Sequence, residues 1–294
     1  WMANRRNSKV VSSSTRALVR AWQVRRALFL VVPYFFLLLW LFTGGVHMDV
    51  RPGELYEVPS EPAWEKPNAE HWFGTTGEGA DLFDLSRHAM ATSVAVAVVS
   101  VALGIGLALL FTALYVFDPG KKRFQLLYMM SRGGYIVPSM VVLVILAGAS
   151  GGSLGVAIFG LILVIAFHLS PVLANWFQEG ESGFDVTAGY VLGLSRREIV
   201  LHRVFPKVLR RLPGVFASLV PPVVLIEMAL SFLGLTGDRL SCGAMIAYGQ
   251  AMIIEAPWMA ISPGIMASGV VLILSLLGWR VSAALQIGPL PRIF

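Results

Sequence analysis

AMATSVAVAVVSVALGIGLALLFTALYVF, residues 89–117, contains no charged side chain. A helix needs about 20 apolar residues to cross the hydrocarbon core of a bilayer, and this run exceeds that length. In lipid only a helix or a closed barrel satisfies its own backbone hydrogen bonds. The run is too long and too continuously apolar for a barrel strand, so it reads as a membrane-spanning helix. Working outward, five more apolar runs follow the same logic: residues 27–43, 135–149, 154–175, 213–235 and 259–285. The third is short for a span and borrows from residues 126–130. An all-α integral membrane protein of about six transmembrane helices is the expected fold class.

The composition agrees. Of 294 residues, 56% are hydrophobic and 14% charged, whereas soluble domains run near 25% charged. A single cysteine, Cys242, excludes an internal disulfide. No His/Cys cluster has zinc-binding spacing, so no metal site is expected. No phosphate-binding G-x-x-x-x-G-K-[ST] loop, H-E-x-x-H or G-x-S-x-G occurs, and no catalytic constellation can be assembled. Trp1, ahead of Met2, reads as a remnant without functional weight.

The formal charge of +6 is distributed rather than clustered. The N-terminus carries Arg5, Arg6, Lys9, Arg16, Arg20, Arg25 and Arg26. With six spans, the same side receives Lys121, Lys122, Arg123 and Arg132, then Arg196, Arg197, Arg203, Lys207, Arg210 and Arg211, then Arg280 and Arg292. That is 19 of the 23 basic residues; the other side holds Arg51, Lys66, Arg87 and Arg239. Basic residues concentrate on the cytoplasmic side of membrane proteins, so both termini are expected there. The charge needs no nucleic-acid partner; its expected partner is the lipid bilayer.

The organisation that follows is a basic N-terminus (1–26), a first span (27–43), an outer segment (44–88), a five-helix core (89–285) and a short C-terminus (286–294). The first run is longer than a signal-peptide core and lacks a small-residue cleavage site, so it stays as a span. The outer segment is acidic and proline-rich, with Asp49, Glu54, Glu57, Glu61, Glu65, Glu70, Glu78, Asp81 and Asp84. It reads as a solvated loop or as a surface for an outer partner. ASGGS, residues 149–153, is a tight turn on the same side.

The longest inner loop, residues 180–211, has structure of its own. Residues 184–192 can form a short helix that Gly193 breaks. Ser195-Arg196-Arg197-Glu198 then spells a capping box, with Ser195 as N-cap and Glu198 three residues on. Ile199, Val200, Val204 and Phe205 recur at helical spacing, and the second helix is expected to end near Pro206. The loop is a helix–Gly–helix elbow. Its amphipathic pattern fits a segment lying on the headgroups or a lever pushed by a soluble partner.

Within the spans, Glu227 and His168 are the notable ionisable groups, with Ser231 one turn beyond Glu227. Such groups mark substrate or ion paths, or hydrogen-bond neighbouring helices. Gly104 and Gly106 are expected to let helices approach closely.

With these residues in view, the chain resembles the membrane subunits of dipeptide, oligopeptide and nickel ABC importers, of the type with an extra N-terminal span and outer loop. The family's inner-loop motif is Glu-Ala-Ala, three residues, Gly, and a Pro thirteen further on. Gly193 and Pro206 keep that spacing, while Thr187, Ala188 and Gly189 stand at the Glu-Ala-Ala positions. Glu227 followed by SFLGL (231–235) resembles the end of the family's fifth span. Gly243-Ala244-Met245 follows, with Cys242 where the family has Trp. Ala256-Pro257-Trp258 and Pro263-Gly264 lead into the last span. Pro138-Ser139 fits the third, and His71, Gly74, Thr75 and Asp81 fit an outer motif in which Thr76 and Ala80 depart from the family's Asp and Arg.

The resemblance runs from about residue 71 to residue 285. It implies a type I ABC importer permease fold in the bacterial inner membrane. Thr187, Ala188, Gly189, Gly193, Ser195, Arg196, Arg197, Glu198, Arg203 and Pro206 would then form a coupling helix against an ATPase. Glu227, His168 and Ser231 are candidates for the translocation path. It further implies a second permease subunit of different sequence, two cytoplasmic ATPases and an extracytoplasmic substrate-binding protein. ATP and Mg would be held by the ATPases and no cofactor by this chain. The residues leave two other readings open: an ion-coupled secondary transporter using Glu227 and His168, and a non-transporting scaffold derived from a permease.

Overall fold

The computed structural model describes residues 39–41, 64–117, 122, 129 and 138–284. The first span (27–43) lies outside them apart from Leu39, Trp40 and Leu41, which are helical. The stretch 126–130 that was expected to extend the third span also lies outside, apart from Met129.

The long helices are α1 (Leu82–Phe117), α3 (Leu154–Glu181), α7 (Leu212–Phe232) and α9 (Trp258–Ala284). All four are long and apolar enough to cross a membrane. Between α1 and α3 lies the shorter apolar helix α2 (Ser139–Ala149). The inner loop forms α4 (Phe184–Val191), α5 (Arg196–Ile199), a π-helical turn (Val200–Val204) and α6 (Phe205–Leu209). An additional helix, α8 (Cys242–Ala251), precedes α9.

Helix ends follow local chemistry. Asp81 starts α1 seven residues ahead of the apolar run, because its Oδ1 accepts from the N–H groups of Phe83 (2.7 Å) and Asp84 (3.1 Å). At the far end of α7, Gly234 takes φ +72° and the N–H of Leu235 reaches back to Leu230 O at 2.9 Å. That left-handed cap stops the helix at Phe232. Ser241 starts α8 by accepting from the Ala244 N–H at 3.2 Å. The 149–153 turn is present, with Gly151 and Gly152 both at positive φ.

Residues 64–81 fold into a cap over the start of α1. Trp64 N–H donates to Thr76 O, Thr75 N–H to Glu65 O, and Leu82 N–H to Gly74 O. His71 Nδ1 lies 2.8 Å from Asp81 Oδ2. The cap sits on the start of α9, where Trp258 Nε1 donates to Thr75 O at 3.3 Å and Ser262 Oγ to Phe73 O at 3.4 Å. Gly74 is required: its φ is +77°, and a Cβ there would fall 2.5 Å from Glu65 O and 2.9 Å from Trp258 Cδ1.

The long helices touch where side chains are small. Lipid gives helices little hydrophobic reason to associate, so close van der Waals contact at small residues carries the packing. Gly278 of α9 lies against the Ala217 backbone of α7, Gly243 of α8 against Met228 O of α7, and Gly249 of α8 against Met259 and Ala260 of α9. Few polar ties supplement these notches: Thr112 Oγ1 donates to Ser170 O across α1 and α3 at 3.2 Å, and Ser218 meets Ser282 at 2.7 Å across α7 and α9.

Of the two glycines expected at helix contacts, only Gly104 is at one. A Cβ on Gly104 would fall 2.7 Å from Ile165 Cγ2 of α3, whereas Gly106 faces open space. Two residues along a helix turn the side-chain direction by about 200°, so the pair could not share a face. Gly104→Val should therefore destabilise the protein by about 1–3 kcal/mol through overpacking, and Gly106→Val should leave packing intact. Thermal unfolding in detergent compares them; equal losses at both positions would show that packing against α3 is not what Gly104 provides.

Candidate functional site

Two polar assemblies stand at opposite ends of α7. The first is the elbow. Helix α4 ends in a Schellman motif: Gly193 N–H donates to Tyr190 O at 3.0 Å and Leu194 N–H to Gly189 O at 3.1 Å. Gly193 takes φ +79°, which reverses the chain at no steric cost. The capping box is formed: Ser195 Oγ accepts from the Glu198 N–H, and Glu198 Oε2 accepts from the Ser195 N–H at 2.8 Å. It also accepts from the Ser195 hydroxyl at 2.8 Å. Those hydrogen bonds, the hydroxyl's first, hold the Glu198 carboxyl below the ordinary glutamate range, with the nearby His202 adding a smaller pull.

The second arm does not end at Pro206. The chain continues helical through Leu209, and Pro206 sits in the first turn of α6. Proline has no N–H and its ring crowds the carbonyl four residues back. The backbone absorbs this by widening to a π turn, in which Phe205 N–H donates to Val200 O.

The elbow is mounted on the end of α3. Ile199, Val200 and Val204 are fully buried. Val204 fills the space over Gly180, and Ile199 packs on Gly189. Phe205 stacks on Phe177 at 6.3 Å between ring centroids. Arg196 pairs with Glu181 at 3.1 Å and Arg211 with Glu179 at 3.3 Å, the latter guanidinium lying 5.1 Å over the Trp176 ring. The sequence reading missed Trp176, Glu179, Glu181 and Arg211. The available signal was two acids at the end of an apolar span, facing a basic loop.

Every residue expected in the elbow is there. Thr187 is exposed on α4, Ala188 is half-buried and Gly189 is buried. Arg196, Arg197, Glu198 and Pro206 are exposed, and Arg203 is partly so. The tip is apolar and uncovered: Val191 is 82% and Leu192 75% exposed.

The second assembly is a buried knot at the other end of α7. Glu227 (1% exposed) and Arg239 (4%) form an ion pair through Glu227 Oε1 and Arg239 Nη2. Ser231 Oγ donates to Glu227 Oε1 at 2.8 Å and lies 2.7 Å from Thr236 Oγ1. Glu227 Oε2 and Arg239 Nε and Nη1 have no hydrogen-bond partner among the described residues. Charge counting assigns Arg239 to the outer side without a partner of its own; in the structure its side chain folds inward and pairs with Glu227. His168 is also buried, its Nδ1 2.8 Å from Val164 O of its own helix. Glu227, Ser231 and His168 thus point into this chain's own bundle, His168 apart from the other two. Cys242, beside the knot, is buried with Sγ 3.7 Å from Ser86 O and 3.8 Å from Met90 Sδ.

No family model matches the chain. The oligopeptide transport system permease protein OppC of Haemophilus influenzae is 26% identical over 196 residues, which span 66% of this chain and 62% of that protein, less than two thirds of its length. OppC of Mycobacterium tuberculosis is 27% identical over 217 residues, 71% of this chain and 72% of that one. Among solved structures, the inward-facing methionine ABC transporter MetNI has a chain that matches with a TM-score of 0.56 at 18% identity, covering 69% of this chain and 97% of that one. The chain is thus similar in sequence to oligopeptide permeases and in fold to a chain of an ABC transporter. It shares the helical core of that fold neighbour, and four helices among the described residues are long and apolar enough to cross a membrane.

Two outcomes follow from the polar assemblies. Arg239→Met strands the Glu227 carboxylate in the interior, and loss of one partner of a buried pair costs about 3–5 kcal/mol. Adding Glu227→Gln removes the stranded charge, so the double variant should recover most of the lost thermal stability; a double variant no better than the single one would show that the pair is not the source. At the elbow, the lowered Glu198 pKa means the carboxylate's contribution is complete above the ordinary glutamate range and fades as pH falls through the lowered value. Amide exchange at residues 195–199 should therefore be pH-independent near neutrality, after correction for intrinsic rates, and lose protection in acid, and Glu198→Gln should abolish that acid step.

Proposed function

We propose that the chain is one permease subunit of an ATP-driven importer, forming half of the translocation path for peptides or a related small solute. The observation that carries this reading is the elbow: a glycine-hinged helix pair with an uncovered apolar tip, fixed to the end of a span. A segment merely resting on headgroups has no need of that mounting. Val191 and Leu192 offer the apolar contact for a groove on a partner, and Arg197 beside them offers charge. Force on the tip reaches α3 chiefly through the buried Val204 against Gly180 and the Phe177–Phe205 stack, with the Arg196–Glu181 and Arg211–Glu179 pairs beside them, and α7 through α6.

On this reading, Thr187, Ala188, Gly189, Gly193, Ser195, Arg196, Arg197, Glu198, Arg203 and Pro206 form the coupling segment. Two cytoplasmic ATPase subunits hold ATP and Mg and do the hydrolysis; this chain is not an enzyme and binds no cofactor itself. A second permease, different in sequence, completes the path, and an extracytoplasmic binding protein delivers the solute. The distribution of Lys and Arg supports cytoplasmic termini and a cytoplasmic elbow, with the 64–81 cap outside, in a bacterial inner membrane. The relatives' names support peptides as the substrate class.

The test is purification of the chain from its native membrane in mild detergent. ATPase subunits, a second permease and vanadate-sensitive hydrolysis should accompany it; the chain alone, stable and without ATPases, would overturn the reading. In the assembled complex, Gly193→Val forces a β-branched residue into a left-handed conformation. Transport should fall at least tenfold while basal ATP hydrolysis persists, and undiminished transport would remove the elbow from coupling.

A further inference from the structure

An aromatic cluster surrounds the start of α1 and is used by nothing described so far. Phe83 is its centre. Trp72 meets it edge-on at 5.5 Å, Phe73 at 5.2 Å, and Trp40 at 6.2 Å. Trp40 stands at the end of the first apolar run, Phe83 at the start of the second, and Trp72 in the cap, so the cluster lies where spans give way to polar chain. Trp72 is 68% exposed although backbone hydrogen bonds on either side of it, Asn68 N–H and Gly74 N–H to His71 O and Thr75 N–H to Glu65 O, hold the cap that carries it. Trp72 shares the Phe83 ring with Trp40, which is exposed like its neighbour Leu39, and the acids Glu70, Glu78 and Asp84 are exposed on the same cap.

The opposite end of the bundle repeats the feature once. Trp279 near the end of α9 is also 68% exposed and is followed by the exposed Arg280. Trp258, which joins the cap through Thr75 O, starts the same helix. The two positions are about 31 Å apart along the axis at 1.5 Å per residue, and a bilayer's hydrocarbon core is about 30 Å thick. Tryptophan is enriched where one end of the ring is apolar and the other wet.

We infer that Trp40, Trp72 and Phe83 anchor one end of this chain in the lipid headgroup layer and that Trp279 anchors the other. The occupant of the exposed Trp72 face is lipid rather than protein, because the ring packs on the same Phe83 as Trp40 of an apolar run, at the end of the bundle that lies about one bilayer thickness from Trp279. The two anchors set the depth of the bundle, keeping the cap's carboxylates in water and the elbow clear of the acyl chains. Depth does not depend on what is transported, so this inference stands or falls apart from the proposed function.

The experiment uses the full chain, with any subunits that remain bound, reconstituted in phosphatidylcholine and phosphatidylglycerol vesicles containing lipids brominated near the headgroup or near the chain end. Trp72→Phe keeps an aromatic ring on Phe83 and removes one fluorophore, so the difference from wild type isolates Trp72; Trp279→Phe does the same at the other boundary. Both components should be quenched several-fold more by the shallow bromine label than by the deep one, and only weakly by acrylamide. Free quenching of the Trp72 component by acrylamide would place the face in water. Shielding from acrylamide and both lipid labels would place it against protein. Either outcome overturns the inference, as does stronger quenching of either component by the deep label.

Discussion

A carboxylate buried inside a helical bundle is costly without a partner, and Glu227 finds its partner within its own chain. Its partner lies twelve residues on, past the end of α7 and a left-handed turn at Gly234, so pairing requires the connection to fold back over the helix end. Once Arg239 is inside, the rest of that end is constrained. Thr236 is held to Ser231, Ser241 is brought into place to start α8, and Gly243 is set against Met228 O. The small-residue notch between α7 and α8 and the ion pair are two parts of one arrangement, since each requires the chain to return at the same place.

That arrangement was only partly legible in the sequence. Glu227 was visible as an acid in an apolar run, but Arg239 looked like any loop cation. Charge counting assigns residues to sides of a membrane and does not see a cation that turns inward. Helix α8 was likewise not anticipated, because ten residues are too few for a span; Ser241, able to accept from the Ala244 N–H, was the available signal. Gly104 and Gly106 show another limit. Both are small residues in a span, and only the rotation of α1 against α3 decides which one makes the contact.

Short-range chemistry was legible by contrast. The capping box, the Gly193 break and the 149–153 turn depend on residues within a few positions of each other, and all are formed. Pro206 is the instructive exception. Its local rule says that a helix ends, yet the chain passes through it, because a π turn relieves the proline and burial of Val200, Val204 and Val208 holds the widened turn in place. Tertiary packing outweighed a local preference where the π turn left only a small residual cost.

The same π turn bears on how the two ends of α7 communicate. Between the elbow tip and α7 the chain has no loop long enough to absorb motion: α5, the π turn, α6 and α7 follow one another almost without interruption. Glu179 and Arg211, and Glu181 and Arg196, clamp both sides of that run to α3. These pairs are exposed and individually weak, worth at most about 1 kcal/mol each. The buried Val204 against Gly180 and the Phe177–Phe205 stack must therefore supply most of the rigidity. The elbow is thereby packed on α3 and continuous with α7, and α7 carries the Glu227–Arg239 knot at its other end. The knot holds the chain at the end of α7 where α8 begins, and α8 packs on α9 at Gly249, so one unbroken run of contacts joins the elbow to the helix that supports the cap.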